Sequence, residues 1–162
     1  MRYERVVDFD YNNGDGIAVT LWVTGCPHKC KGCHNPQLFD PNRGNDDYME
    51  AVDKILKALS TERIDKHLSI LGGEPLAPYN IEQIIDICKI VKRKYPNKKI
   101  WVWTGYKWED LDIRQQQLMK YIDYLVDGKF EESLKVENQW YGSNNQRIID
   151  VKRSTRNIIR LR

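Results

Sequence analysis

Three of the four cysteines lie within eight residues, in the order C-x3-C-x2-C. They are Cys26, Cys30 and Cys33, and their thiolates would give three metal ligands on one short loop. The fourth, Cys88, lies much further along, among the apolar positions of a predicted helix. A free cysteine in such a place behaves as a small hydrophobic residue. The spacing therefore separates three candidate ligands from one candidate core residue.

Three chemistries are compatible with this thiol cluster. Disulfides are disfavoured, because the expected compartment is reducing and the cluster has an odd number of cysteines. A zinc ion could take His28 or His34 as a fourth ligand, but structural zinc sites usually combine two ligand pairs and the second pair is missing. An iron–sulfur cluster held by three thiolates would leave one iron open to chelate a small molecule through an amine and a carboxylate.

A second motif, Gly72-Gly73-Glu74-Pro75, follows the next predicted strand. Two glycines allow close approach to the backbone, and a carboxylate accepts hydrogen bonds from an ammonium group. The alternative is a plain tight turn with a solvent-facing Glu74. The position at a strand end favours ligand binding, because ligands of α/β proteins bind there.

Together these two motifs resemble those of the radical S-adenosylmethionine (radical SAM) enzymes. The resemblance implies that Cys26, Cys30 and Cys33 hold a [4Fe-4S] cluster. It also implies that segment 72–74 contacts the methionine amino group of S-adenosylmethionine. None of the three cysteines is then an acid, a base or a nucleophile.

The chain departs from many members of that superfamily at one position. An aromatic residue often precedes the third cysteine and lies near adenine, whereas this chain has Gly32. We therefore expect backbone groups around Gly32, Cys33 and His34, or other side chains, to hold the adenine.

Further segments resemble one branch of the superfamily, the activating proteins of anaerobic ribonucleoside-triphosphate reductases. The likeness runs from about residue 9 to residue 151. The run Gly-Ser-x-Asn-Gln-Arg at 142–147 is its most specific part. The other segments are 23–26 with 33–36, 103–106 and 125–130.

This branch implies a one-electron mechanism in which the cofactor carries the chemistry. A reduced cluster cleaves S-adenosylmethionine, and the resulting radical takes a hydrogen from a glycine of the large subunit of the reductase. A low-potential donor such as flavodoxin would supply the electron. Two alternatives stay open: an activase of another glycyl-radical enzyme, such as pyruvate formate-lyase, or a non-enzymatic zinc-binding module.

Strands and helices alternate in the predicted secondary structure. An edge strand at 6–9 is joined to the first core strand by a turn at 12–16. Asp46 or Asp47 is the expected N-cap of the first helix, and Asn80 that of the second. The core strands are 17–23, 67–71, 99–103, 121–126 and 146–151, and the helices are 45–59, 80–94 and 109–120.

This alternation predicts an α/β fold with mostly parallel strands. A closed eightfold barrel needs about 250 residues, so 162 residues allow an open sheet or partial barrel. We predict one domain, 1–162, built as an open partial (β/α) barrel of the radical SAM type. Segments 24–26, 72–75, 104–106 and 127–128 should then meet at one edge.

Composition excludes several classes of protein. Hydrophobic residues make up 41% of the chain, and the aromatic residues need a packed core. No apolar run approaches the ~20 residues of a membrane span, and the N-terminus lacks a secretory signal. A net charge of +3 does not call for nucleic acid or a membrane surface. We therefore expect a cytoplasmic protein.

Three surface features have competing interpretations. The basic end, 152–162, is interpreted as a flexible tail in preference to a docking segment. Segment 131–147, which contains Trp140, is either a docking loop or a surface loop with Trp140 packed on its own core. His28 could tune a cluster through a hydrogen bond, but a solvated side chain is the favoured expectation.

Overall fold

The computed structural model describes residues 1–61 and 63–154, and one six-stranded sheet organises them. The strands lie in the sheet in the order in which they occur in the chain. They are β1 (Tyr3–Asp10), β2 (Ile17–Val23), β3 (Lys66–Gly72), β4 (Ile100–Trp103), β5 (Tyr124–Asp127) and β6 (Arg147–Asp150). The α-helices are α1 (Tyr48–Leu59), α2 (Ile81–Lys94) and α3 (Ile113–Leu118).

Four central strands, β2 to β5, are parallel, and the edge strands β1 and β6 are antiparallel to their neighbours. One α-helix lies in each connection between parallel strands, as such crossovers require. The predicted open, mostly parallel α/β sheet is thus confirmed, including the bounds of strand 17–23. Its curvature into a partial barrel of the radical SAM type stays a prediction.

The main hydrophobic core lies between the sheet and the helices. Alternate residues of β2, including Leu21, point to this side together with residues of β3, α1 and α2. Cys88 of α2 is fully buried in this core, and burial raises the pKa of its thiol. The prediction that Cys88 is a core residue is confirmed.

The opposite face of the sheet is rich in aromatic residues. The buried Trp101 ring stacks on Tyr124, with ring centroids 4.3 Å apart, and on Trp103 at 5.8 Å. These contacts form a second, smaller apolar cluster on the side without the main core.

The turn between β1 and β2 packs against this aromatic face. His67 Nε2 donates to the Asn13 carbonyl over 3.1 Å, and Ser69 Oγ donates to the same oxygen over 2.7 Å. Gly14 has φ +100°, and a Cβ there would lie 2.5 Å from His67 Nε2. Glycine is therefore required for the turn to reach the sheet.

Helix α1 begins three residues later than the sequence predicts. Asn45 is held instead by paired backbone hydrogen bonds of 2.8 and 2.9 Å with Tyr3. Asp47, one of the two predicted caps, accepts a 3.1 Å hydrogen bond from the Glu50 N–H.

Helix α2 begins after Asn80, as predicted, but the Asn80 side chain does not cap it. Its Nδ2 donates to the carbonyls of Thr24 at 3.0 Å and Glu74 at 2.9 Å. The prediction of a side-chain cap is therefore wrong. The buried amide instead ties the start of α2 to the ends of β2 and β3.

The predicted helix 109–120 is wrong in extent, and so is the start of the predicted strand 121–126. A 3₁₀ turn, Trp108–Asp110, comes first and α3 follows. Asp112 accepts from the Gln115 N–H at 2.7 Å, while the Gln115 side chain accepts from the Asp112 N–H at 3.0 Å. This capping box starts a new helix inside the predicted one. β5 then begins only at Tyr124.

Asp123 joins three elements at the amino edge of the parallel strands. Its Oδ2 accepts from Lys92 Nζ at 2.7 Å and from the Ile100 N–H at 2.9 Å. Lys152 Nζ lies 2.6 Å from Oδ1. Burial alone would raise the pKa of Asp123, but the hydrogen bonds from Lys152, Lys92 and Ile100 outweigh burial and lower it.

The start of the basic end is therefore tied to the fold. Arg153 Nε lies 3.6 Å from the carboxylate of Asp150, and Ser154 is buried. Residues 155–162, the rest of the predicted flexible tail, lie outside the described residues. No helix in the described part of the chain is long and apolar enough to cross a membrane.

We expect Asp123→Asn to lower the free energy of unfolding by about 1.5–3 kcal/mol at neutral pH, because charge-assisted hydrogen bonds are lost. The pKa of Asp123 is lower in the folded state, so this stabilisation is present above the unfolded-state pKa of about 3.9 and is lost as the pH falls through the folded-state pKa. Urea unfolding of both proteins across this range should show their difference shrinking with acid. A constant difference would contradict the assignment.

Candidate functional site

The clustered cysteines lie on an irregular loop directly after β2. The Gly25 N–H donates to the Leu38 carbonyl over 2.8 Å. The Cys26 N–H donates to the Phe39 carbonyl over 3.1 Å. All three thiols of the loop are free and half-buried. The start of this cysteine loop is thus fixed by backbone contacts within the chain.

The cysteine loop forms one wall of a cavity of about 350 Å³ at the carboxyl edge of the parallel strands. The predicted meeting of the four strand ends at one edge is confirmed, since β2 to β5 run parallel. Gly32 does not line the cavity. The other predicted site residues do: Cys26, Cys30, Cys33, His34, Gly72, Gly73 and Glu74.

The two glycines of segment 72–74 allow close approach of the protein's own backbone. A Cβ at Gly73 would lie 2.5 Å from the Gly25 carbonyl oxygen. Gly72 has φ +114°, and a Cβ there would lie 2.6 Å from the Val23 carbonyl oxygen. The Glu74 N–H donates to the Gly25 carbonyl over 2.7 Å. The glycines therefore bring this segment against the start of the cysteine loop.

Burial raises the pKa of the Cys26 thiol above its ordinary value. Backbone N–H groups of His28 and Lys29 act in the opposite direction, since they stabilise a thiolate. The Cys26 thiol is therefore shielded from solvent, and the nearby N–H groups favour its charged form. A bound metal would supply the positive charge that holds it deprotonated.

The thiols are not arranged for a single metal ion. Among the described residues, no three His, Cys, Asp or Glu side chains converge as one ion requires. A zinc ion with bonds of about 2.3 Å would need its sulfur ligands close together. An iron–sulfur cluster holds its cysteines on separate iron atoms, and three free thiols around one cavity fit that donor pattern.

The Glu74 carboxylate is almost completely buried, with its side chain 1% exposed. Oε1 accepts from the Leu76 N–H at 2.9 Å and from Thr104 Oγ1 at 2.8 Å. Oε2 accepts from the Gly105 N–H at 2.7 Å and lies 2.8 Å from His28 Nε2. Thr104, which the sequence pattern places only at a strand end, is thus part of the site.

The favoured expectation of a solvated His28 is wrong. Its side chain is only 8% exposed and faces Glu74, because Gly105 leaves room for the ring. A Cβ at Gly105 would lie 2.4 Å from His28 Cδ2. The Tyr106 ring lies edge-on, with centroids 4.7 Å apart. No local pattern around His28 indicates these contacts, because its partners lie on later strand ends.

Glycine at position 32 is favoured by the backbone conformation, since Gly32 has φ +72°. An aromatic side chain at this position would strain the backbone. A Cβ there would also lie 2.6 Å from Glu132 Oε1, but that exposed side chain could move aside. Nearby, the His34 ring lies 5.4 Å from the Phe130 ring, and both side chains line the cavity.

The Gly-Ser-x-Asn-Gln-Arg run closes segment 129–146 onto the end of β5. Gln146 Oε1 accepts from the N–H groups of Gly142 at 2.8 Å and Ser143 at 3.1 Å, while its Nε2 donates to the Gly128 carbonyl at 2.8 Å. Arg147 pairs with the buried Asp127, which raises the pKa of the Arg147 guanidinium. The run therefore has a structural role: it holds segment 129–146 against the end of β5, beside the cavity.

Trp140 packs on its own protein. Its ring meets Trp101 edge-on at 5.4 Å, and Trp103 Nε1 donates to its carbonyl over 2.6 Å. These contacts match the surface-loop interpretation of segment 131–147. Its use as a docking loop stays a prediction.

The sheet and its cysteine loop define an iron–sulfur domain. The family model of the 4Fe-4S single cluster domain matches residues 12–149. This match covers strands β2 to β5 and all of β6 except its final residue; only β1 lies outside it.

Curated relatives identify the branch more closely. The anaerobic ribonucleoside-triphosphate reductase-activating protein of Enterobacteria phage T4 is 43% identical over 148 residues, which cover 91% of this chain and 93% of the relative. The proteins of the same name from Vibrio cholerae and Escherichia coli K12 are 42% and 39% identical, covering 90% of this chain and 96% of each relative. The chain belongs to the anaerobic ribonucleoside-triphosphate reductase-activating protein family.

We expect Cys26→Ala, Cys30→Ala and Cys33→Ala each to lose most of the iron taken up during anaerobic reconstitution, because each removes one thiolate from the loop. Cys88→Ala is the matched control and should keep wild-type iron, since Cys88 is buried in the core. Iron and sulfide analysis measures both. Wild-type iron in Cys30→Ala, or loss of iron in a folded Cys88→Ala protein, would contradict the ligand assignment.

Proposed function

We propose that this protein is a radical SAM activase that generates a glycyl radical on an anaerobic ribonucleoside-triphosphate reductase. One observation carries the proposal: the three free thiols and the Gly72–Glu74 segment line the same cavity at the carboxyl edge of parallel strands. The names of the relatives supply the partner, since each is an activating protein of that reductase. We place the activity in the cytoplasm.

Cys26, Cys30 and Cys33 would hold three irons of a [4Fe-4S] cluster and leave the fourth without a protein ligand. Once bound and reduced by a low-potential donor such as flavodoxin, the cluster would cleave S-adenosylmethionine to methionine and a 5′-deoxyadenosyl radical. That radical would take a hydrogen atom from a glycine Cα of the reductase. The chain itself supplies position and shelter from water. Segments 72–74 and 104–105 line the same cavity as the cysteine loop.

The residues assigned to S-adenosylmethionine fall into two groups. Gly72, Gly73 and Glu74 would serve the methionine amino group, and their place in the cavity wall supports this role. Backbone groups around Gly32, Cys33 and His34 would serve adenine. The rings of His34 and Phe130, tilted by 44° to each other, both line the cavity, and the face of either ring could stack on a base in place of an aromatic residue at position 32.

The decisive experiment is to mix the reconstituted protein with reductant, S-adenosylmethionine and the large subunit of the reductase. We expect a glycyl radical signal in electron paramagnetic resonance on the reductase, and none above background with Cys30→Ala. Pyruvate formate-lyase as substrate tests the nearest alternative. A signal only on that enzyme, or on neither, would refute the proposal.

A cluster with an open iron should be sensitive to oxygen. We expect air to bleach the brown protein and abolish S-adenosylmethionine cleavage, and anaerobic reconstitution to restore both. Absorbance and methionine release follow the two changes. Full activity after prolonged aeration, or a colourless protein with one zinc ion, would favour the zinc-binding alternative.

A further inference from the structure

The Glu74 carboxylate has no acceptor position left for a ligand. A carboxylate offers about four lone-pair positions on its two oxygens. Four protein donors take them: the N–H groups of Leu76 and Gly105, Thr104 Oγ1 and His28 Nε2, all within 2.9 Å. An ammonium group could contact this carboxylate only by displacing one of these donors.

These donors come from separate strand ends. His28 belongs to the cysteine loop after β2, between the ligand candidates Cys26 and Cys30. Thr104 and Gly105 follow β4. The Glu74 side chain therefore joins the loop that carries the thiols to the end of β4, which also lines the cavity.

The cysteine loop needs such an anchor. Lys29, next to His28, has φ +48°, in the left-handed region that is unfavourable for a residue with a side chain. His28 and Lys29 lie between Cys26 and Cys30 in this turn. Fixing the His28 ring thus fixes the turn between these two cysteines.

We infer that Glu74 and His28 form a positioning pair that sets the cysteine loop against the cavity, and that Glu74 serves S-adenosylmethionine through this pair. The inference rests on the proposed function for its ligand. It replaces direct contact between the carboxylate and the ammonium with a contact inside the protein. The backbone of the Gly72–Gly73 segment is then the part that faces the amino group.

Four variants test the pair in the reconstituted full chain. Glu74→Gln removes the carboxylate charge and His28→Phe removes the ring N–H donor, and each should weaken S-adenosylmethionine binding about 10- to 150-fold. The double variant should bind no more weakly than either single variant, because both break one interaction. His28→Gln keeps a donor near the Nε2 position and should restore most of the affinity. Equilibrium binding is measured at matched iron content.

Direct contact predicts a different pattern. Glu74→Gln would then weaken binding, whereas His28→Phe would leave affinity unchanged or raise it by freeing an acceptor. Either that result or additive losses in the double variant would overturn the inference.

A second measurement uses the protein without its cluster. Thiol alkylation of the three loop cysteines should be faster in Glu74→Gln and His28→Phe than in wild type, with buried Cys88 unreactive in all. His67→Phe is the matched control, because it removes another buried histidine that donates to a backbone carbonyl, away from the loop. Its alkylation rate should equal that of the wild type.

Unchanged alkylation in His28→Phe would refute the pair. If the wild-type protein binds no S-adenosylmethionine, the proposed function fails while alkylation still decides the inference.

Discussion

A buried carboxylate must be matched by donors, and the carboxyl edge of this sheet is organised around that requirement. Glu74 is satisfied only when the loop after β2 and the end of β4 lie within hydrogen-bond distance of it. Losing one partner would leave a buried charge short of a donor, which costs more than the bond itself contributes. The geometry of the cysteine loop is therefore linked to strands that carry no cysteine.

Glycines at this edge also allow the segments around Glu74 to approach one another closely. Positions 72, 73 and 105 each lie where a Cβ would collide with the backbone or a ring of a neighbouring segment. Read from the sequence, a Gly-Gly pair indicates space for a ligand. In the fold, the space beside this pair is taken by the end of β2 and the start of the cysteine loop, and the loop and segment 72–74 line the same cavity.

The sequence predicts well what depends on local pattern. Strand 17–23, the end of α1 and the core position of Cys88 follow from apolar periodicity, and the shared edge follows from strand–helix alternation. Prediction from the sequence fails where residues far apart in the chain determine a side chain's hydrogen-bond partners. The Asn80 amide serves two strand ends, and His28 meets a carboxylate 46 residues away. At 109–120 a local signal, the Asp112–Gln115 capping box, overrode a weak helical pattern.

The order of the strands has a consequence for how the protein is made. Neighbours in the sheet are also successive strands in the chain, so the sheet can grow by addition at one edge, with no strand inserted between two others. Such sequential assembly keeps each loop closure short during synthesis. The cysteine loop leaves the ribosome before Thr104 and Gly105, which follow only after two more helices and strands. The hydrogen bonds around Glu74 can therefore be completed only after these helices and strands have been synthesised.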